Sequence, residues 1–167
     1  MIRRPTSVLV VEDNPGDARL IQEYLRDSPT LDADLTIVET LEKAIDTLHT
    51  TSFDVVLLDL SLSDSSGLGS VRILSRTAER TPILVLSGND DLELILQTVQ
   101  AGAQDYLPKQ DASTGSLSRA ISNAIERQAM MIERDTLTKI GLTISSNLDI
   151  DVVFGQFADQ VRTLIPI

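Results

Sequence analysis

The hexapeptide Asp54-Val55-Val56-Leu57-Leu58-Asp59 lies near the middle of a 167-residue chain and sets the terms for the rest of it. Its four consecutive apolar residues, two of them β-branched, are too few for a typical helix. An unbroken apolar run suits a strand buried on both faces, as in a parallel sheet. The run ends in a carboxylate, Asp59, and Leu60 to Gly67 then reads as a loop. Ligands of open α/β sheets bind just beyond the carboxyl ends of the strands. Taken alone, Asp59 reads more simply as a strand end that caps the next helix. What changes that reading is how many other groups the chain sends to the same place.

Working outward, Ser7 to Val11 is an earlier buried strand that ends at Glu12-Asp13. Asn14 and Pro15 supply the cap and first position of a helix whose stripe is Leu20, Ile21, Tyr24 and Leu25. Asp34 to Glu39 is a weaker strand, and Thr40 opens a helix carrying Leu41, Ala44, Ile45 and Leu48. Beyond Asp59 the spacing predicts a helix over Gly67 to Thr77. A buried strand follows over Pro82 to Leu86, ending at Ser87-Gly88. Asn89 or Asp90 caps a helix with Leu92, Ile95, Leu96 and Val99. Asp105 to Pro108 is a short fifth strand ending at Lys109, and a last helix starts near Ser113.

Five strands alternating with five helices predict an α/β fold, a doubly wound, flavodoxin-like (βα)5 parallel sheet. The expected strand order is 2-1-3-4-5, with a long C-terminal helical extension. In that order Glu12, Asp13 and Asp59 crowd one rim, and Ser87 and Lys109 arrive from the fourth and fifth strands.

Composition bounds what such a rim can do. A formal charge of −11 argues against a nucleic-acid partner, because phosphate backbones are bound through clustered Lys and Arg. There is no cysteine, which removes thiol catalysis and thiolate metal sites and fits a cytoplasmic protein. No apolar run approaches the roughly 20 residues of a membrane span, and no signal-peptide core opens the chain. Three crowded carboxylates repel one another, so one is protonated or a cation neutralises them. With oxygen ligands only, the natural choice is a hard cation such as Mg²⁺. A carboxylate can also attack phosphorus and form an aspartyl-phosphate. Mg²⁺, the Lys109 ammonium and the Ser87 hydroxyl are then available to neutralise the phosphoryl oxygens.

Glu12-Asp13, Asp59, Ser87, Tyr106 and Lys109, each at a predicted strand end, resemble the receiver domain of two-component response regulators. Val11 to Ala18 and Gly102 to Lys109 are similar to receiver signatures, and the resemblance covers about residues 5 to 127. It implies a phosphoacceptor signalling domain, not an enzyme, in which Asp59 takes a phosphoryl group from a histidine kinase or phosphotransfer protein. It also implies that Asp13, Asp59 and the backbone carbonyl of Ser61 bind Mg²⁺, with Glu12 acting through water. Lys109 would pair with the phosphoryl group. Ser87 would hydrogen-bond it, and Tyr106 would turn from outward to buried.

Two positions depart from the family. Gln110, not proline, follows Lys109, and a cis bond there would cost about 3 kcal/mol more than trans. Ser63 stands where many receivers carry proline, which predicts a looser loop after Asp59. Two other readings remain. An aspartate-nucleophile phosphohydrolase typically places a second Asp two residues on, where this chain has Ser61. A phosphorylation-independent interaction module on the same fold leaves the intact acidic, serine and lysine positions unexplained. His49 reads as a surface residue.

The last helix continues past the receiver-like region, with no proline from Ser113 to about Ser145, or about 50 Å of helix if unbroken. Met130, Leu137, Ile140 and Ile144, at spacings of seven, three and four, suggest a short coiled-coil seam and a homodimer; the alternative is a frayed, solvated helix. The stretch from Leu137-Thr138-Lys139-Ile140-Gly141 through Leu148-Asp149-Ile150-Asp151 to Leu164-Ile165-Pro166 resembles the entry helix of a GAF domain, of which only the first segment is present. The expected organisation is a receiver over 1–127, a signalling helix over 128–147, and the first helix of a truncated GAF-like domain over 148–167.

Overall fold

The computed structural model describes residues 4–65, 67–88 and 91–147. Its elements alternate as β1 (Thr6–Val11), α1 (Pro15–Arg26), β2 (Ala33–Val38), α2 (Leu41–Thr50), β3 (Val55–Asp59), α3 (Leu68–Thr77), β4 (Ile83–Ser87), α4 (Leu92–Gln100), β5 (Asp105–Pro108) and α5 (Thr114–Asn147). A single 3₁₀ turn, Lys109–Asp111, joins β5 to α5. All four strand pairings are parallel and the order is β2-β1-β3-β4-β5, as expected.

The alternation of side chains along each strand feeds two cores. Leu9, Val11, Val56, Leu58 and Val85 face one side, where they meet Leu41 and Ala44 of α2 and Val71 and Leu74 of α3. Val8, Val10, Val55, Leu57 and Leu84 face the other, against Ile21 and Leu25 of α1 and Leu117 and Ile121 of α5. Every residue of β3 and β4 is buried. That is why these strands read as continuous apolar runs and not as alternating ones.

The helix starts are set by short polar side chains. Asn14 accepts from the amides of Gly16 and Asp17 ahead of α1, with Pro15 in the first turn. Thr40 caps α2 through Lys43, and Asp64, from the loop after β3, accepts from the Leu41 and Glu42 amides at the same terminus. Asp91 caps α4 through the Glu93 amide. The alternative caps Asn89 and Asp90 lie outside the described residues. Gly102, between α4 and β5, has φ +115, and a Cβ there would stand 2.8 Å from the Ser75 side chain, so this turn requires glycine.

The chain divides at Ala129/Met130 into two units. In the second, Met130, Met131, Leu137, Ile140 and Leu142 are all exposed. The segment expected to be the first helix of a GAF-like domain, 148–167, lies outside the described part, and the start of the GAF-like motif at Leu137 falls within α5. Among the described residues no helix is long and apolar enough to cross a membrane.

Candidate functional site

Strand register brings the polar groups together. Val11 pairs with Leu58, so Glu12 and Asp13 follow β1 level with Asp59 at the end of β3. Asp59 pairs with Leu86, and Ser87 pairs with Pro108, so Ser87 and Lys109 leave β4 and β5 at the same edge of the sheet. The buried β-branched and leucine residues behind them fix each backbone, and the carboxylates sit where the apolar runs stop.

Asp59 is 4% exposed and Glu12 is 2% exposed. Glu12 is tied by its backbone amide to Val38 and by one carboxylate oxygen to the Asn14 amide at 3.1 Å. Asp59 Oδ1 accepts from the Ser61 amide at 3.2 Å. Carboxylate oxygens of Glu12, Asp13 and Asp59 lie within 4.8 Å of one another. Such an all-oxygen set of hard donors, one partly open to solvent, fits a small divalent cation that keeps part of its water shell. The structure therefore groups the three acidic residues that the sequence singled out.

Lys109 closes the cluster. Its Nζ donates to Asp17 Oδ2 at 2.7 Å, Glu12 Oε2 at 2.8 Å and Asp59 Oδ2 at 3.0 Å. Burial disfavours the ammonium, but the hydrogen bonds to Asp17, Glu12 and Asp59 outweigh it and hold the Lys109 pKa above the ordinary lysine value. Burial acts on Glu12 in the same way, and it raises the Glu12 carboxyl above its usual 4.5 despite the Lys109 and Asn14 hydrogen bonds. The Lys109–Gln110 peptide needs no cis geometry: there is no cis bond among the described residues, and Lys109 enters the 3₁₀ turn in ordinary backbone.

The loop after Asp59 carries two tethers, one at Ser63 itself. With no proline there, the Ser63 amide donates to Asp13 Oδ2 at 2.8 Å, while Asp64 pins the same loop to α2. Both tethers depend on backbone donors that the identity of a side chain does not reveal. Asp17 was also missed. It stands in the first turn of α1, where an acidic residue ordinarily serves the helix dipole, and only the reach of Lys109 shows its second use.

Ser87 is 3% exposed at the end of β4. Tyr106 is half-buried in β5 and packs against the core that α2 and α3 cover. Its hydroxyl is buried without a hydrogen-bond partner among the described residues. A buried, unpaired hydroxyl destabilises the form that holds it. Tyr106→Phe is therefore expected to raise the urea midpoint of the unphosphorylated protein, by the equivalent of about 1 kcal/mol. An unchanged or lower midpoint would show that the hydroxyl is satisfied.

Fold and cluster together define a receiver. The family model described as "Response regulator receiver domain" matches residues 8–122, and the chain belongs to that family. It is accordingly a phosphoacceptor signalling domain of the two-component kind. Similar curated proteins include the cell cycle transcriptional regulator CtrA of Caulobacter vibrioides, 31% identical over 102 residues, covering 61% of this chain and 43% of that protein. The regulatory protein LuxO of Vibrio cholerae is 30% identical over 130 residues, covering 78% of this chain and 28% of that protein. The chain thus spans less than half the length of these relatives. Among solved structures, the signal receiver domain of an HD domain-containing protein from Pseudomonas fluorescens superposes with a TM-score of 0.69 at 23% identity, covering 80% of this chain and 96% of that one. The phosphorylated cyanobacterial phytochrome response regulator RcpA gives 0.60 at 26% identity, covering 72% and 91%.

Proposed function

We propose that Asp59 is the phosphoacceptor and that a histidine kinase or phosphotransfer protein supplies the phosphoryl group. The observation that carries this reading is the contact of Asp59 with Lys109 at a strand end, beside Glu12 and Asp13, in a receiver fold. An Asp59 carboxylate oxygen forms a bond to phosphorus while the bond from phosphorus to the donor's imidazole nitrogen breaks, and that nitrogen keeps the electron pair. Asp13, Asp59 and the Ser61 backbone carbonyl hold Mg²⁺, with Glu12 acting through water. When bound, Mg²⁺ neutralises charge on the phosphoryl oxygens. Lys109 pairs with the same group and Ser87 donates to it. Ser87 and Tyr106 then carry the change to the face of α4 and β5.

The organisation proposed is a receiver over 1–127, a signalling helix over 128–147 and the start of a GAF-like domain over 148–167, in a cytoplasmic homodimer. The apolar side chains exposed on α5 support the dimer. Ser61, two residues after Asp59, offers no carboxylic acid of the kind phosphohydrolases use there, which favours a lasting mark over fast turnover.

The test is labelling with acetyl phosphate and Mg²⁺, followed by mapping of the acid-stable, base-labile adduct. Wild-type protein is expected to carry one label and Asp59→Asn none. A label that survives the substitution overturns the assignment.

A further inference from the structure

The Lys109 ammonium has three N–H donors, and all three are in use, one on Glu12 just after β1, one on Asp17 of α1 and one on Asp59 of β3. These acceptors are not equivalent. The Glu12 side chain is 1% exposed and that of Asp59 is 5% exposed, whereas that of Asp17 is 40% exposed. If Lys109 left Glu12, a buried carboxylate oxygen would stand without its donor, at a cost that water cannot make good. If it left Asp17, water would take its place. Asp17 is also bound to nothing but Lys109 among the side-chain contacts of the described residues, while Glu12 and Asp59 each have a backbone amide as well.

We infer that Asp17 is a detachable tether for Lys109: it holds the ammonium in the unphosphorylated site and competes with an anion arriving at Asp59. This rests on the reading of Asp59 as phosphoacceptor given above. A phosphoryl group brings oxygens and negative charge to a place where three carboxylates already face one ammonium. Forming the acyl phosphate removes the carboxylate charge of Asp59 itself, so the tether that still draws Lys109 toward α1 is the one from Asp17. Hydrogen-bond competition and charge repulsion act in the same direction, and both oppose the incoming anion. Asp17 is thus a positioning residue that sets how readily the site accepts a phosphoryl group.

The experiment is calorimetric titration of the full chain with beryllofluoride, a phosphoryl mimic, at saturating Mg²⁺. Asp17→Asn is expected to tighten binding about fivefold, the scale of one partly exposed ion pair. Glu23→Gln removes the same charge from α1 without touching Lys109 and is expected to leave binding within about twofold, since a distant exposed charge is screened. In a Lys109→Met background, Asp17→Asn should lose the part of its effect that runs through the ammonium and keep only the smaller part due to charge repulsion. Unchanged or weaker binding by Asp17→Asn overturns the tether, and so does equal tightening by Glu23→Gln or in the Lys109→Met background. Should Lys109→Met prove unfolded, the comparison of Asp17→Asn with Glu23→Gln decides alone. Failure of the underlying reading looks different: wild-type protein would then neither bind beryllofluoride nor label at Asp59.

Discussion

Lys109→Met is expected to destabilise the protein by about 3 kcal/mol when divalent ions are chelated, because removing one partner leaves buried charges uncompensated. The ammonium contacts Glu12 and Asp59, both almost fully buried, as well as Asp17. Met fills similar space with no donor, so the loss is electrostatic and not one of volume. Two further measurements separate this cause from ordinary misfolding. Added Mg²⁺ is expected to restore much of the lost stability, since an ion that binds only the folded form stabilises it by mass action. Acidification is expected to do the same. The folded-state pKa of Glu12 is raised above 4.5, so the stability linked to its proton is fully present below 4.5 and lost as pH rises through the folded value. Without Lys109 that loss deepens. The Lys109 pKa is itself raised, so the stability that its charge gives wild-type protein is fully present below 10.5 and disappears only at higher pH. Urea midpoints at pH 5 and pH 8, in EDTA and in Mg²⁺, check all of this. Equal midpoints for wild type and variant in EDTA at pH 8 would show that Lys109 does not hold the acidic cluster together.

The part of the site that was legible in the sequence is the part built on strand ends. Glu12, Asp13, Asp59, Ser87 and Lys109 each follow an apolar run, and parallel strands must deliver their carboxyl ends to one edge. What was not legible depends on reach and on backbone. Asp17 matters because a long lysine side chain crosses to α1, and no spacing rule encodes that crossing. Ser63 matters through an amide that any residue but proline would offer. Helix α4 shows a different limit. Of its apolar residues Leu92, Ile95, Leu96 and Val99, Ile95 is partly buried while Leu92, Leu96 and Val99 are 75%, 64% and 48% exposed. The fully buried position is Thr98, whose hydroxyl is satisfied by the Leu94 carbonyl at 2.7 Å. A polar side chain that pairs within its own helix can be buried at little cost, so hydropathy alone does not reveal which face of α4 is covered.

The second large effect concerns association. Light scattering is expected to find the full chain dimeric and a chain ending at Arg127 monomeric at tens of micromolar, where about 7 kcal/mol of association is visible. The receiver core does not need the remainder of α5. Leu117, Ile121 and Ala124 are fully buried against the sheet, and Ile125 packs on the same core. Beyond them Met130, Leu137 and Ile140 expose between half and two thirds of their surface, at the spacings of a helical seam. Met131 and Leu142 add apolar surface away from that line. Five large apolar side chains within thirteen residues exceed what an isolated helix ordinarily leaves to water, and an identical helix is the simplest cover. If the paired helices also transmit the signal, beryllofluoride should change the dimer's dissociation constant or the protection of α5 amides from exchange. Substituting Leu137→Asp and Ile140→Asp together should abolish the dimer while leaving Asp59 labelling by acetyl phosphate intact. Monomers from both chains, or a dimer that survives truncation at Arg127, would remove α5 as the seam and the helical relay with it.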